Sequence, residues 1–334
     1  MSQRIKLEDV AKLAGVSRAT VSRVINRRGY LSQRTILKVE QAMERLDYHP
    51  NVIARQMHSQ RTNLIGIIVP TVGNPFFGEL TAAMEHELFK KGYKVLVGDA
   101  LNDPEKEQRY LRQLLGHQVD GLIIATHNAN IPEYQNTNLP IVAIDRFLRS
   151  DIPVVYSDNY GGAKQACEAL IQRGAKYIIH TDDLSPLNDQ DTARRRAYEA
   201  VMKAHDRPAI TYPSLPDPKQ NREALQKIFI EHPEVDAIFT SNDLDAATLL
   251  DLAVENGYVV PDQLQIIGYD GTQTTQRLLP RLATVVQPIP AMAKKAIELL
   301  EAKLNQQAVP EEVVLSVNLK LGSTVKNYKI NGEY

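Results

Sequence analysis

The chain has 334 residues, 43% of them hydrophobic and 24% charged, which is room for more than one compact unit and excludes a disordered chain. No apolar run reaches the roughly eighteen residues of a membrane span, and a single cysteine, Cys167, excludes an intramolecular disulfide or a cysteine-built metal site. The net charge of −1 conceals a split: residues 1–61 carry twelve Lys or Arg against five acids, a net +7 that leaves −8 for the rest, and a basic head on an acidic body suggests a polyanion partner for the head alone.

Three short helical patterns fill the first sixty residues. Leu7, Val10, Ala11, Leu13 and Ala14 mark the first, and Gly15 supplies a left-handed stop. The second starts at the capping residue Ser17 and carries Val21, Val24 and Ile25 at helical spacing. Only Val16 and Ser17 follow Gly15 before it begins, so the pair reads as a tight helix-turn-helix. The third runs from a Ser32 cap through Ile36, Val39, Met43 and Leu46, and Pro50 forbids its continuation.

From about residue 62 the texture changes. LIGIIVP (64–70), YKVLVGDA (93–100), DGLIIA (120–125), PIVAID (140–145), KYIIHT (176–181), DAIFTSN (236–242) and LQIIGYD (264–270) are short apolar runs, many of them separated by amphipathic stretches such as GAKQACEALIQRG. Strand and helix in alternation predict βαβ units with parallel sheets buried on both faces. The run is too long for one lobe, so the fold class is α/β: an all-α head plus a two-lobed, doubly wound core. Ligands of such sheets lie beyond the carboxyl ends of the strands.

In a helix-turn-helix the second helix presents its N-terminal residues to base edges. That places Arg18, Ala19, Thr20 and Arg23 toward a major groove, with Asn26 at the end of the same helix. Arginine matches guanine O6/N7, and alanine suits a thymine methyl. Ser17 and Thr20 have phosphate as an alternative partner, and Ser17 serves equally as a plain helix cap. LEDVAKLAGVSRATVSRVIN, a third helix and then YHPNVIARQM together resemble the head of the LacI/GalR family of bacterial repressors, and the likeness continues to the C-terminus. The resemblance implies a helix-turn-helix over 1–50, a hinge helix and linker over 51–61, and an effector-binding core over 62–330. It also implies a minor-groove wedge at Met57, where family members usually carry leucine. Lys6 stands where a capping Thr is usual, with Glu8 and Asp9 in the first turn to compensate.

For the core, the resemblance implies the fold of periplasmic sugar-binding proteins. Its N-lobe would take about 62–157 and 288–316, and its C-lobe about 158–287 and 317–330, with crossings near 156–159, 287–288 and 316–318. Sugar sites of this type pair aromatic faces with planar polar groups. GNPFF supplies Asn74, Phe76 and Phe77, the phenylalanines being core residues on the alternative reading. PIVAID ends in Asp145 and Arg146, a hydroxyl-bridging pair or else a surface ion pair. TARRRAYEA supplies Arg194, with Arg195 as substitute. Asn242, Asp270 and Gln287 complete the set. The aromatic usual after the strand near 212 is missing, Pro218 being nearest. The set resembles ribose-binding members, while SDNYGG, GYDGT and VVQPI resemble ribose-operon and sucrose-operon repressors of Gram-positive bacteria about equally. Ribose, fructose or a sugar phosphate all remain open as effector, since Arg146 and Arg194 also suit a phosphate.

The function expected is therefore a sugar-responsive DNA-binding repressor, cytoplasmic because MSQRIKLEDV is no signal peptide. It is expected to be a homodimer because one head covers half a palindrome. Nor does LGSTVKNYKINGEY carry the heptads of a tetramer. Two rivals share the core: a periplasmic sugar-binding protein, disfavoured by the basic head, and a sugar-acting enzyme. No GxGxxG, P-loop, HExxH or GxSxG is present. His127 is the one histidine near the presumed cleft, so no catalysis, cofactor or metal is expected.

Overall fold

The structure, a computed structural model, describes residues 5–26, 29–48, 61–101, 103–116, 119–126, 128, 131–135, 139–183 and 192–327. The chain divides into two compact units, Met1–Thr62 and Asn63–Tyr334. The segment expected to form the hinge helix, with Met57, lies outside the described residues, as do Arg27, Arg28 and His127.

In the smaller unit, α1 (Leu7–Ala14), α2 (Arg18–Ile25) and α3 (Gln33–Arg45) enclose a core of Val10, Ala11, Ala14, Val21, Val24, Val39 and Ala42. Gly15 ends α1 at φ 65°, a conformation that a side chain would strain. Ser17 caps α2 by accepting from the Thr20 N–H, and Ser32 caps α3 by accepting from the Thr35 N–H. Lysine has no acceptor to cap with; at α1 the Asp9 carboxylate instead accepts the Lys6 N–H at 2.8 Å.

The larger unit contains two six-stranded sheets. The first comprises β1 (Leu64–Val69), β2 (Lys94–Asp99), β3 (Gly121–Ile124), β4 (Ile141–Ile144), β5 (Val154–Ser157) and β11 (Glu312–Leu315). All its pairings are parallel, in the order β11-β5-β4-β3-β1-β2. The second comprises β6 (Ile178–Asp182), β7 (Ile210–Pro213), β8 (Ala237–Phe239), β9 (Gln265–Asp270), β10 (Ala283–Val286) and β12 (Asn318–Lys320). Its order is β12-β10-β9-β8-β6-β7, with only β12 antiparallel. Strands β5, β7, β10, β11 and β12 fall outside the seven apolar runs of the sequence, although β3, β4 and β8, which are as short, fall within them.

Helices cover both faces of both sheets. In the first lobe α4 (Pro75–Lys90) and α11 (Ile289–Leu304) bury Leu80, Met84, Ala296 and Leu300 on one face, while α5 (Pro104–Leu115) buries Leu111 and Leu114 on the other. In the second, α6 (Asn159–Gln172) and α7 (Ala193–Ala204) oppose α8 (Pro218–Glu231) and α9 (Asp243–Glu255) across the sheet, and the short α10 (Gln273–Leu278) follows β9. Each fully buried Leu or Ile contributes roughly 1.5–3 kcal/mol, so these four layers dominate the stability of the unit.

The chain changes lobe three times, from β5 into α6, from β10 into α11, and from β11 into β12. Gly162 allows the first of these passages to pack. A Cβ there would meet Val317 Cγ2 at 2.8 Å and the Tyr269 hydroxyl at 2.9 Å, leaving no room for a side chain. Among the described residues no helix is long and apolar enough to cross a membrane.

Candidate functional site

On the head, the residues expected to read bases sit on α2. Ser17, Arg18, Ala19, Arg23 and Asn26 are exposed and Thr20 is half-buried, while Val21 and Val24 of the same helix anchor it to the core. Several of these side chains already have partners. Arg18 Nη1 lies 2.9 Å from Glu8 Oε1 on α1, and Arg23 Nη2 donates to the Tyr30 carbonyl at 3.4 Å. Asn26 donates through Nδ2 to the Ser22 carbonyl at 2.8 Å, which turns it back on its own helix. The Ser17 hydroxyl is committed to Thr20, accepting its N–H at 3.1 Å. Ser17 thus has its capping role, while Arg18 and Ala19 are exposed at the start of the helix.

In the core, a cleft of about 680 Å³ lies between the carboxyl ends of the two sheets. Eight of the nine residues expected to hold an effector line it: Asn74, Phe76, Phe77, Asp145, Arg194, Asn242, Asp270 and Gln287. Each is delivered by the end of a strand or the start of a helix. Asn74 caps α4, accepting the Phe76 N–H at 2.8 Å, and Asn242 caps α9, accepting the Asp245 N–H at 2.8 Å. Asp145 and Asp270 follow or end β4 and β9 with φ of 55° and 102°. Left-handed backbone at two aspartates facing one cleft is local strain of the kind that collects at binding sites.

Arg146 is not among the lining residues, contrary to the expected hydroxyl-bridging pair. The left-handed turn at Asp145 sends the next side chain inward, where Arg146 is buried and donates through Nη1 to the Thr126 carbonyl at 2.6 Å. Nor is it a surface ion pair. Thr126 in turn donates to the buried Glu107, which also accepts from Asn128 at 2.7 Å and from the Tyr134 hydroxyl. The phenylalanines divide between the two readings: Phe76 is 4% exposed and part of the lobe core, while Phe77 is half-buried against it with ring centroids 5.1 Å apart and an interplanar angle of 75°.

Arg194 crosses the floor of the second lobe. Its guanidinium carbon lies 3.6 Å from the Tyr269 ring centroid, a cation–π geometry. Nε donates to Asn159 Oδ1 at 2.9 Å and Nη1 to the Ser241 carbonyl at 2.6 Å. Arg195, the substitute weighed for it, turns to Asp182 with Nε 3.6 Å from Oδ2. Burial, opposed by Arg194 and reinforced by Asp243, pushes the Asp270 carboxyl up to about 8. Burial likewise lifts Asp182 to about 7, against the pull of Arg195 and Arg194, and raises Asp145. A buried carboxyl that keeps its proton can donate as well as accept, which suits a hydroxyl-rich ligand.

Three residues at the cleft were not singled out from the sequence. Asn159 and Asp182 line it, and Tyr269 carries the ring beneath Arg194. Asp182 ends β6, so a search for polar residues at strand ends selects it. Asn159 lies in the SDNYGG stretch, and only the lobe crossing gives it a role.

Comparison with known proteins gives the same division. Residues 62–311 match the family of periplasmic binding proteins and the sugar-binding domain of the LacI family, and residues 6–51 match the bacterial regulatory proteins of the lacI family. The sucrose operon repressor of Streptococcus mutans is 38% identical over 320 residues, covering 96% of this chain and 99% of that protein. The ribose operon repressor of Halalkalibacterium halodurans is 33% identical over 331 residues, covering 96% and 99%. The lac repressor dimer bound to operator and the anti-inducer ONPF superposes with a TM-score of 0.86 at 25% identity, covering 96% of this chain and 99% of that one. With both of its units matched and with identity running the length of known sugar-operon repressors, the chain belongs to the LacI family of bacterial regulatory proteins and is a transcriptional repressor of the sugar-operon kind.

Proposed function

We propose that this repressor acts as a homodimer whose heads read a palindromic operator through Arg18, Ala19, Thr20 and Arg23. Its affinity for that operator is set by a small sugar of the ribose or fructose type held between the lobes. The observation that carries the reading is the convergence on one cleft of Asp145 from the first lobe and Arg194, Asn242 and Asp270 from the second. A ligand bonded to both sides favours one lobe angle over others, and only such a difference lets it shift an equilibrium. The lobe angle would reach DNA through residues 51–61, with Met57 as the minor-groove wedge. The relatives matched are transcriptional repressors, and no reaction is proposed for the cleft. For dimerisation, the edge strand β2 exposes Leu96 at 41% and Val97 at 40%, an apolar edge that a second copy would cover.

The test is a fluorescence-anisotropy titration of operator-containing DNA from upstream of the gene, with and without ribose, fructose or sucrose. A change in operator affinity of about 5- to 150-fold with one sugar is expected, with affinity falling steeply as salt rises. Operator binding indifferent to every sugar would sink the effector assignment and leave the DNA-binding one standing.

A further inference from the structure

We infer that the cleft selects an uncharged sugar and rejects its phosphate esters, with Asp182 the residue that enforces the rejection. This inference rests on the effector-site reading above and names the ligand class of that site. Among the described residues lining the cleft, five are aspartates (Asp145, Asp182, Asp183, Asp245 and Asp270) and one, Arg194, is a cation. That arginine is committed: it donates to Asn159 and to the Ser241 carbonyl and lies on the Tyr269 ring. The two other arginines near enough to matter are also held. Arg146 is buried on the Thr126 carbonyl, and Arg195 lies against Asp182.

Helix N-termini are the other usual source of anion affinity, and four of the five that reach this cleft have a side-chain cap, α7 being the one without. At α4 Pro75 has no N–H, and the Phe76 N–H goes to Asn74. At α9 the Asp245 N–H goes to Asn242, and Asp243 and Asp245 place two buried acids in the first turn. At α6 the Gly161 N–H goes to Asp158 at 2.8 Å. Among the described residues, a phosphate dianion entering here finds the start of α7 with Arg194 as the one uncapped donor site, against five aspartates.

Asp182 is the sharpest of these. It is 5% exposed, it lines the cleft, and its Oδ2 accepts no hydrogen bond. Above about pH 7, where Asp182 is ionised, a sugar hydroxyl can donate to that oxygen while a phosphate is repelled by it, and burial leaves the repulsion poorly screened.

The experiment is isothermal titration calorimetry of the full-length protein at pH 8, above the Asp182 value of about 7, with matched pairs: fructose and fructose 6-phosphate, ribose and ribose 5-phosphate, sucrose and sucrose 6-phosphate. For the sugar that binds, the phosphate ester is expected to bind at least about tenfold more weakly. Asp182→Asn should narrow that ratio at least about threefold, and Arg195→Gln, which strips Asp182 of its partner, should widen it. Two opposed shifts cannot both come from a general loss of fold. An ester that binds as tightly as its parent overturns the inference, as does a ratio that neither substitution moves. Binding by neither member of any pair overturns the effector-site reading itself and the selectivity with it.

Discussion

Ser157 and Gln287, 130 positions apart, share a buried 2.7 Å hydrogen bond in which the serine hydroxyl donates to Oε1. Ser157 ends β5 at the first lobe crossing, and Gln287 lies in the second. The Gln287 amide donates onward to Asp270 Oδ1 at 2.8 Å. A ligand bonded to Asp270 therefore acts on a chain of hydrogen bonds that ties two of the three crossings together.

Ser157→Ala leaves the Gln287 carbonyl oxygen buried without that donor, at a cost of about 1–3 kcal/mol. We expect a lower melting temperature by thermal denaturation and a smaller effect of sugar on operator affinity. A variant that melts and responds like the parent would show the bond to be incidental to both.

The raised carboxyls set a pH dependence. Asp270 at about 8 and Asp182 at about 7 lie above the ordinary value of 3.8, so the folded protein holds protons that the unfolded chain releases. Stability is then highest below the unfolded value and falls as pH rises from about 4 to 8. His180 acts oppositely: burial lowers it from 6.5 to about 3, so it costs stability as pH falls below 6.5. Between 6.5 and 8 the His180 contribution has faded, and each of these two carboxyls acts by at most about 1.4 kcal/mol per pH unit. Melting temperature should fall across that window, and Asp270→Asn should flatten the slope; parallel slopes would remove Asp270 as its source.

The sequence revealed most where a local rule carried the placement. Capping serines, the Gly15 stop and strand-end residues such as Asp145 and Asp270 each follow from neighbours a few positions away, and eight cleft residues lie at strand ends or helix starts. Arg146 was misplaced because the φ of 55° at Asp145 reverses which way the next side chain points, and no pattern of apolar residues encodes that turn. The Ser157–Gln287 bond and the Asn159–Arg194 contact depend on lobe crossings far apart in sequence, which spacing does not report.

Phe76 and Phe77 are adjacent, yet their substitutions should fail differently. Phe76 is packed in the first-lobe core with Leu80 and Ile289, so Phe76→Ala should cost about 3–5 kcal/mol and lower the melting temperature sharply. Phe77 is half-buried at the cleft, so Phe77→Ala should weaken sugar binding with a smaller loss of stability. Calorimetry and thermal melts on the two variants separate these outcomes, and equal stability losses would return both rings to the core.

Arg18, the first residue of α2, is paired with Glu8 of α1 at 2.9 Å, with side chains 67% and 51% exposed. A pair this open is worth about 0–1 kcal/mol, little enough for a guanine edge to displace it. Glu8 does not cap α1, since Asp9 takes the Lys6 N–H, so Glu8→Gln should leave the head folded. Freed of its acid, Arg18 should bind operator up to about fivefold more tightly at low salt. Arg18→Ala should cost about 1–3 kcal/mol at one base position of the operator and little on unrelated DNA. Anisotropy titrations with single-base operator variants decide between roles: a loss shared equally by all sequences would make Arg18 a phosphate contact, and weaker binding by Glu8→Gln would mean that the acid orients the arginine instead of competing for it.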